Sequence, residues 1–208
     1  MGRSRRSLIR PSQWPLLSGE FMSTPSPTVA PAEGRLGVLT VGLGAVASTL
    51  IAGVELAKRG LGSPIGALTQ MDTIRLGKRT DNRNPMIKDF VPLARLEDIV
   101  WGAWDPFPDD AYVAATRAGV LESGKHLEAI SDTLRAIRPM KAAFERNYVK
   151  NIDADNIMGK ISKREMLNAI RADINKFRDE KKVDRVVMIW CASTEIFIEP
   201  GPQHQNIE

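Results

Sequence analysis

A short apolar run, Leu36, Val38, Leu39 and Val41, stops at Gly42-Leu43-Gly44. Apolar residues then recur at helical spacing, at Val46, Leu50, Val54 and Ala57. A strand, a tight glycine turn and a helix in that order point to an α/β fold, with the helix packed back onto its own strand. The same frame is the one in which G-x-G-x-x-G/A holds a dinucleotide. Gly42 permits the turn, Gly44 lets the backbone approach a pyrophosphate, and Ala47 is small enough for the helix to lie close to the strand. Ala45 and Val46 open the helix, whose N-terminus offers unpaired N–H groups and a partial positive charge to phosphates. A turn that used its glycines only for packing would look the same.

Composition removes several other classes. The chain has 208 residues, 43% hydrophobic and 26% charged, which is ordinary for a globular core. No apolar run reaches the roughly 20 residues of a membrane span. A single cysteine, Cys191, rules out an internal disulfide framework and fits a reducing, cytoplasmic compartment. With only that thiol and two distant histidines, His126 and His204, no zinc-type site can be proposed, no metal is expected, and no Ser-His-Asp arrangement is suggested. The net charge is +4, but Arg3, Arg5, Arg6 and Arg10 face Glu20 alone in the first 21 residues. The body is therefore nearly neutral, and a nucleic-acid partner is not expected.

Residues 1–34 are arginine-rich and then rich in Ser, Thr and Pro, without apolar periodicity, so a disordered tail is expected there. An over-extended start, with Met22 as the true initiator, is preferred over an organellar transit peptide. Residues 35–208 form the expected domain.

Arg59 to Pro64 (RGLGSP) stops the first helix, and Ile65 to Leu68 is the natural second strand. Asp72 follows it, where an acid can take ribose hydroxyls, although it lies later after the glycines than such acids usually do. Arg75, Lys78 and Arg79 then supply three cations suited to a 2′-phosphate, to a substrate phosphate, or simply to water. Asp98 to Trp104 predicts a third strand, which leaves Asp105 at its end, either beside a ligand or capping the turn. Asp109 or Asp110 caps a helix through Tyr112, Ala115 and Val120, and Leu121 to Ile137 reads as another helix. Ser162 and Glu165 make a capping box for an amphipathic helix with Met166, Ile170, Ile174 and Phe177 on one face. Val186 to Trp190 predicts a buried strand running into Cys191-Ala192-Ser193-Thr194, small residues of the kind a cofactor approaches. No activating base is evident near Cys191, so it reads as a structural thiol. The order β-α-β-β-α-α-α-β predicts a Rossmann-like, doubly wound, mostly parallel sheet with helices on both faces.

Four stretches together resemble the myo-inositol-1-phosphate synthase family, especially its bacterial branch: RLGVLTVGLGAVASTLIAGVELAKRG, IGALTQMDTIRLGKRTDNRNPMIKDFVPL, WGAWDPF and RVVMIWCASTEIF. They occur in the family's order and match its N-terminal, NAD-binding half. The resemblance implies an isomerase that uses tightly held NAD to convert glucose 6-phosphate into inositol phosphate. In that family the opened sugar is oxidised at C5, closed by an intramolecular aldol step and reduced again. Carried over, Gly42, Gly44, Ala45, Val46 and Ala47 would cradle the pyrophosphate and Asp105 would lie by the adenosine ribose. Cys191, Ala192, Ser193 and Thr194 would lie along the cofactor.

The family's preference for NAD argues against reading Arg75, Lys78 and Arg79 as an NADP grip. It also implies a homo-oligomer, a tetramer at full length. No residue here matches the family's catalytic lysines, so the expectation is a cofactor half that is inactive alone and exposes an uncovered sheet edge. A non-catalytic dinucleotide-binding module is the second reading, and an NADP-dependent dehydrogenase the third.

Overall fold

The computed structural model describes residues 33–192 apart from 148, 150 and 151, together with 199 and 201. The tail expected over 1–34 lies, up to residue 32, outside the described residues, as do Ser193 and Thr194.

The first strand, β1 (Leu36–Val41), is followed by the glycine turn and α1 (Ala45–Lys58). Two short helices come next, α2 (Leu68–Met71) and α3 (Ile87–Phe90), and then β2 (Ile99–Asp105). The chain continues through α4 (Ala111–Ala118), α5 (Ser131–Arg135) and β3 (Met140–Lys141) to α6 (Lys163–Lys181) and β4 (Arg185–Trp190). The four strands form one wholly parallel sheet in the order β3-β2-β1-β4. Val41 is in register with Trp104 on one side and Trp190 on the other. This is the first half of a doubly wound sheet plus the strand across which the order reverses.

Alternation along β1 sends neighbouring side chains to opposite faces. On one face Val38 packs with Ala47, Ile51, Trp101, Leu127 and Leu134, beneath α1, α4 and α5. On the other, Leu39 and Trp104 pack with Phe177 of α6 and Val183. The Phe177 ring rests directly on strand backbone: a Cβ at Gly37 would come within 2.6 Å of it, and one at Gly102 within 2.9 Å. Any larger residue at those two positions would lift α6 off the sheet. A buried polar link pins α1 to β2, where the Glu55 carboxylate accepts from Trp101 Nε1 (2.8 Å) and Lys58 Nζ (2.6 Å). Lys58 Nζ also donates to the Ile99 carbonyl (2.8 Å).

The helix starts read from the sequence hold where a cap marks them, while Val120, expected on the helix capped by Asp110, lies beyond its end at Ala118. Asp110 caps α4, accepting from Val113 N (3.0 Å), and the helix ends at Gly119 in the left-handed region. Ser162 and Glu165 form the capping box of α6, which ends at left-handed Lys182.

Four expectations are corrected. Ile65 to Leu68 is not a strand: Leu68 begins α2, and Ile65 and Leu68 are 80% and 67% exposed. The second strand of the sheet is instead Ile99–Asp105, one residue later than predicted from the sequence, so Asp105 belongs to the strand. The helix expected over Leu121 to Ile137 is broken into a π-helical turn (Ser123–Leu127) and α5. The expected buried strand after α6 is an edge strand, with Val187, Met188 and Trp190 48–67% exposed. Among the described strands β4 pairs only with β1, and its two faces, onto which those side chains project, are covered less than those of β1 and β2.

Candidate functional site

The glycine turn is clamped between the ends of two strands. Gly42 N donates to the Trp104 carbonyl (2.8 Å) at the end of β2, and Cys191 N donates to the Val41 carbonyl (2.8 Å) from the end of β4. Gly42 has φ +98°, and a Cβ there would meet the backbone of Ala192 at 3.1 Å and of Cys191 at 3.2 Å. Only glycine satisfies both the conformation and the crowding.

Asp105 completes the clamp. One carboxylate oxygen accepts from Leu43 N (2.6 Å), inside the turn, and the other from Phe107 N (2.9 Å), just past the strand. The residue is 9% exposed, so these charge-assisted bonds form largely out of water. Asn156 Nδ2 fixes the same corner by donating to the Asp105 backbone carbonyl (2.8 Å). The capping role offered by the sequence is therefore filled. Each carboxylate oxygen can accept a further bond, and an acid ending the second strand is where dinucleotide folds meet ribose hydroxyls.

Beside this clamp opens a cavity of about 370 Å³ at the carboxyl ends of β1, β2 and β4. Its walls include Gly42, Gly44, Ala45, Asp105, Cys191 and Ala192. This is the crevice at the reversal of strand order, where open α/β sheets take ligands. Gly44 is the N-cap of α1 with no side-chain hydrogen bond, and the first turn of α1 carries no acid. The helix thus presents its leading N–H groups and positive dipole end without an internal competitor. A Cβ at Gly44 would meet nothing within 4 Å, so the space beside it is open. An uncapped helix start, an open glycine and a hydrogen-bonded acid at the strand end together fit a nucleotide pyrophosphate with its ribose.

The remaining sequence candidates divide. Ala47 is fully buried in the core and serves packing, whereas Val46 is 69% exposed and lies outside the cavity wall. Cys191 is in the wall, and burial pushes its thiol above the usual range, the opposite of an activated nucleophile. Asp72 accepts from Thr73 N (2.7 Å) next to it through its carboxylate and is not among the residues that line the cavity. Neither are Arg75, Lys78 and Arg79, because the strand expected to aim that loop at the glycines does not exist.

The sequence did not reveal Arg117, which lines the cavity and pairs with Asp109 at 2.7 Å. Helical spacing of three from Ala114, which also lies in the wall, is the signal that could have placed it. A second cavity of about 270 Å³ shares Gly42, Pro106 and Ala192 and is otherwise apolar, with Trp104, Phe144 and Trp190 in its wall. Among the described residues no cluster of His, Cys, Asp or Glu could hold a metal ion, and no helix is long and apolar enough to cross a membrane.

Comparison with known proteins adds the family. The model for the NAD-binding part of myo-inositol-1-phosphate synthase matches residues 36–208. Inositol-3-phosphate synthase 1 of Bacteroides thetaiotaomicron is 45% identical over 180 residues, which cover 86% of this chain and 41% of that protein. Inositol-3-phosphate synthase of Trypanosoma brucei brucei is 30% identical over 181 residues, 79% of this chain and 34% of the relative. A crystal structure of inositol-3-phosphate synthase from Caenorhabditis elegans superposes with a TM-score of 0.68 at 28% identity, over 78% of this chain and 35% of the other. The chain thus spans about two fifths or less of the length of these relatives.

Proposed function

The chain belongs to the myo-inositol-1-phosphate synthase family, as its NAD-binding part, and from that membership we propose that it is the cofactor-holding portion of an enzyme converting glucose 6-phosphate into inositol phosphate. Residues 35–208 act as the NAD-binding domain behind the tail of residues 1–34. The observation that carries the reading is the Gly42–Gly44 turn, clamped by Asp105 at the reversal of strand order, with the start of α1 uncapped.

In this reading the N–H groups at the start of α1 bind the pyrophosphate, and the open side of Gly44 admits it. Asp105 both fixes the turn and accepts from the adenosine ribose, while Arg117 lies at the wall to balance phosphate charge. Cys191 and Ala192 form the edge along which the cofactor extends, and the family resemblance gives Ser193 and Thr194, outside the described residues, the same role. NAD supplies a hydride store, so that oxidation and reduction of the sugar cancel over one turnover. The proton transfers of the aldol closure belong to the part of the relatives' length that this chain does not span. A cytoplasmic setting suits the single thiol, and the family resemblance implies a homotetramer of the full-length enzyme.

Calorimetric titration of this chain with NAD and NADP tests the proposal. Saturable NAD binding, tighter than that of NADP, is expected, with no inositol phosphate formed from glucose 6-phosphate by the chain alone. Tighter NADP binding would favour a dehydrogenase, and turnover by the isolated chain would contradict the division of labour.

A further inference from the structure

β2 runs out of partner just where the nucleotide site begins. β3 pairs with it at Trp104 and Asp105 alone, and Pro106 brings no N–H to carry the ladder further. Asn156 takes over at that point. Its side-chain Nδ2 donates to the Asp105 carbonyl (2.8 Å), and its backbone N donates to the Pro106 carbonyl (2.9 Å). Nδ2 also donates to the Met140 carbonyl in β3 (3.1 Å), and the Asn156 carbonyl accepts from Ala142 N (2.9 Å). One residue, 51 positions after Asp105, thus joins the end of β2 to β3 and to the connection that follows it.

The join fixes the direction of the Asp105 side chain. Its carboxylate must reach Leu43 N, 62 residues away, at 2.6 Å and Phe107 N at 2.9 Å. Hydrogen bonds weaken steeply when the donor is misaligned, so a strand end free to twist would hold neither bond well. Binding two side-by-side carbonyls takes a short side chain with two donors, and the asparagine amide carries both hydrogens on one nitrogen. Aspartate, of the same shape, would set a carboxylate against those carbonyls. Asn156 also anchors the cavity on a second side. Ile152 of the same connection lines the wall, and Ala154, between the two, is buried.

We propose that Asn156 is a positioning residue of the nucleotide site: by holding the Asp105–Pro106 backbone it aims the Asp105 carboxylate at the glycine turn and at the 2′-hydroxyl of an adenosine ribose. Asn156 does not line the cavity, so it acts through Asp105. The aim at the ribose rests on the reading of the cavity as an NAD site, whereas the aim at the turn does not.

Two measurements test these parts separately. Amide hydrogen exchange followed by NMR, without nucleotide, reads the turn. In wild type the Nδ2 protons of Asn156 should exchange at least about tenfold more slowly than those of exposed Asn168, a comparison that needs no variant. In Asn156→Ala, exchange at Leu43 N should accelerate at least about tenfold more than at Leu39 N in the core of β1. Calorimetric titration with NAD and with its 2′-deoxyadenosine analogue reads the ribose. Wild type should prefer NAD by about tenfold, the worth of one hydrogen bond to a charged acceptor, and Asn156→Ala should lose most of that preference. Asp105→Asn should lose it too, and adding Asn156→Ala to that variant should change the preference no further. Asp155→Ala, on the exposed neighbour, should leave exchange and preference as in wild type. Leu43 and Leu39 accelerating together would reduce Asn156 to a support of the fold and overturn the proposal. So would Asn156 Nδ2 protons that exchange as fast as those of Asn168. NAD binding with a preference that Asn156→Ala keeps would overturn the aim at the ribose and leave the NAD reading intact. The Leu43 effect together with no NAD binding by wild type would remove the NAD reading and leave the aim at the turn standing.

Discussion

Replacing Asp105 by asparagine removes a charge and one acceptor while keeping the shape of the side chain. In the native protein both carboxylate oxygens are engaged, by Leu43 N at 2.6 Å and Phe107 N at 2.9 Å. An amide can accept from one of these and must turn its NH₂ toward the other. The site then loses a hydrogen bond to a charged acceptor, worth about 1.5–3 kcal/mol, and leaves a buried N–H unpaired, at about 1–3 kcal/mol. The two overlap, so roughly 2–4 kcal/mol of destabilisation is expected. Urea unfolding followed by circular dichroism reads this as a lower midpoint at unchanged slope. With a slope near 2 kcal/mol/M, the midpoint should fall by roughly 1–2 M. NAD affinity should fall as well, because the Leu43 bond sets the pitch of the glycine turn. A midpoint within about 0.2 M of wild type would mean that water satisfies Leu43 N at the cavity mouth, and the clamp would lose its structural importance.

Other substitutions separate fold from ligand. Gly42→Ala should cost at least about 1–2 kcal/mol from the left-handed backbone alone, with backbone crowding by Ala192 adding to it, and a urea midpoint equal to wild type would contradict this. Gly53→Ala, in the exposed middle of α1 with nothing within 4 Å of the new methyl, should stabilise the protein by about 0.5–1 kcal/mol, visible as a higher melting temperature. Burial pushes the Cys191 thiol above the ordinary range, so its thiolate fraction is lower than that of free cysteine, and alkylation by iodoacetamide should be slower and should accelerate only on the alkaline side of the ordinary thiol range. Rapid labelling at neutral pH would show the thiol to be activated.

Much of the site was legible because the glycine turn depends on local chemistry. Gly42, Gly44 and Ala47 follow from a strand that must turn at once into a helix, and the caps at Asp110 and Ser162 are read off side chains that bond their own backbone. Asp105 was placed correctly at a strand end, but its two backbone partners lie 62 and 2 residues away, and only the fold brings the first to it. What misled was the apolar run from Ile65 to Leu68. Its composition suits a buried strand as well as an exposed turn of helix, and four residues carry no periodicity to decide. Without that strand, Asp72 and the loop cations are not among the residues that line the cavity. β3 was invisible for a different reason: two residues after Pro139, paired only with the end of β2, leave no pattern at all. β4 was legible as a strand and not as an edge, since exposure depends on what covers its faces.

Gly44 isolates the role of the turn in binding. Its backbone is ordinary, at φ −80°, and a Cβ there meets no protein atom within 4 Å, so Gly44→Ala should leave the urea midpoint unchanged. If the pyrophosphate lies against that face, the methyl intrudes on it. Isothermal titration of wild type and Gly44→Ala with NAD should then show saturable binding that weakens at least about tenfold in the variant, or about 1.4 kcal/mol. Equal NAD affinity in the two proteins, or no NAD binding by wild type, would contradict the assignment of the turn as the nucleotide site.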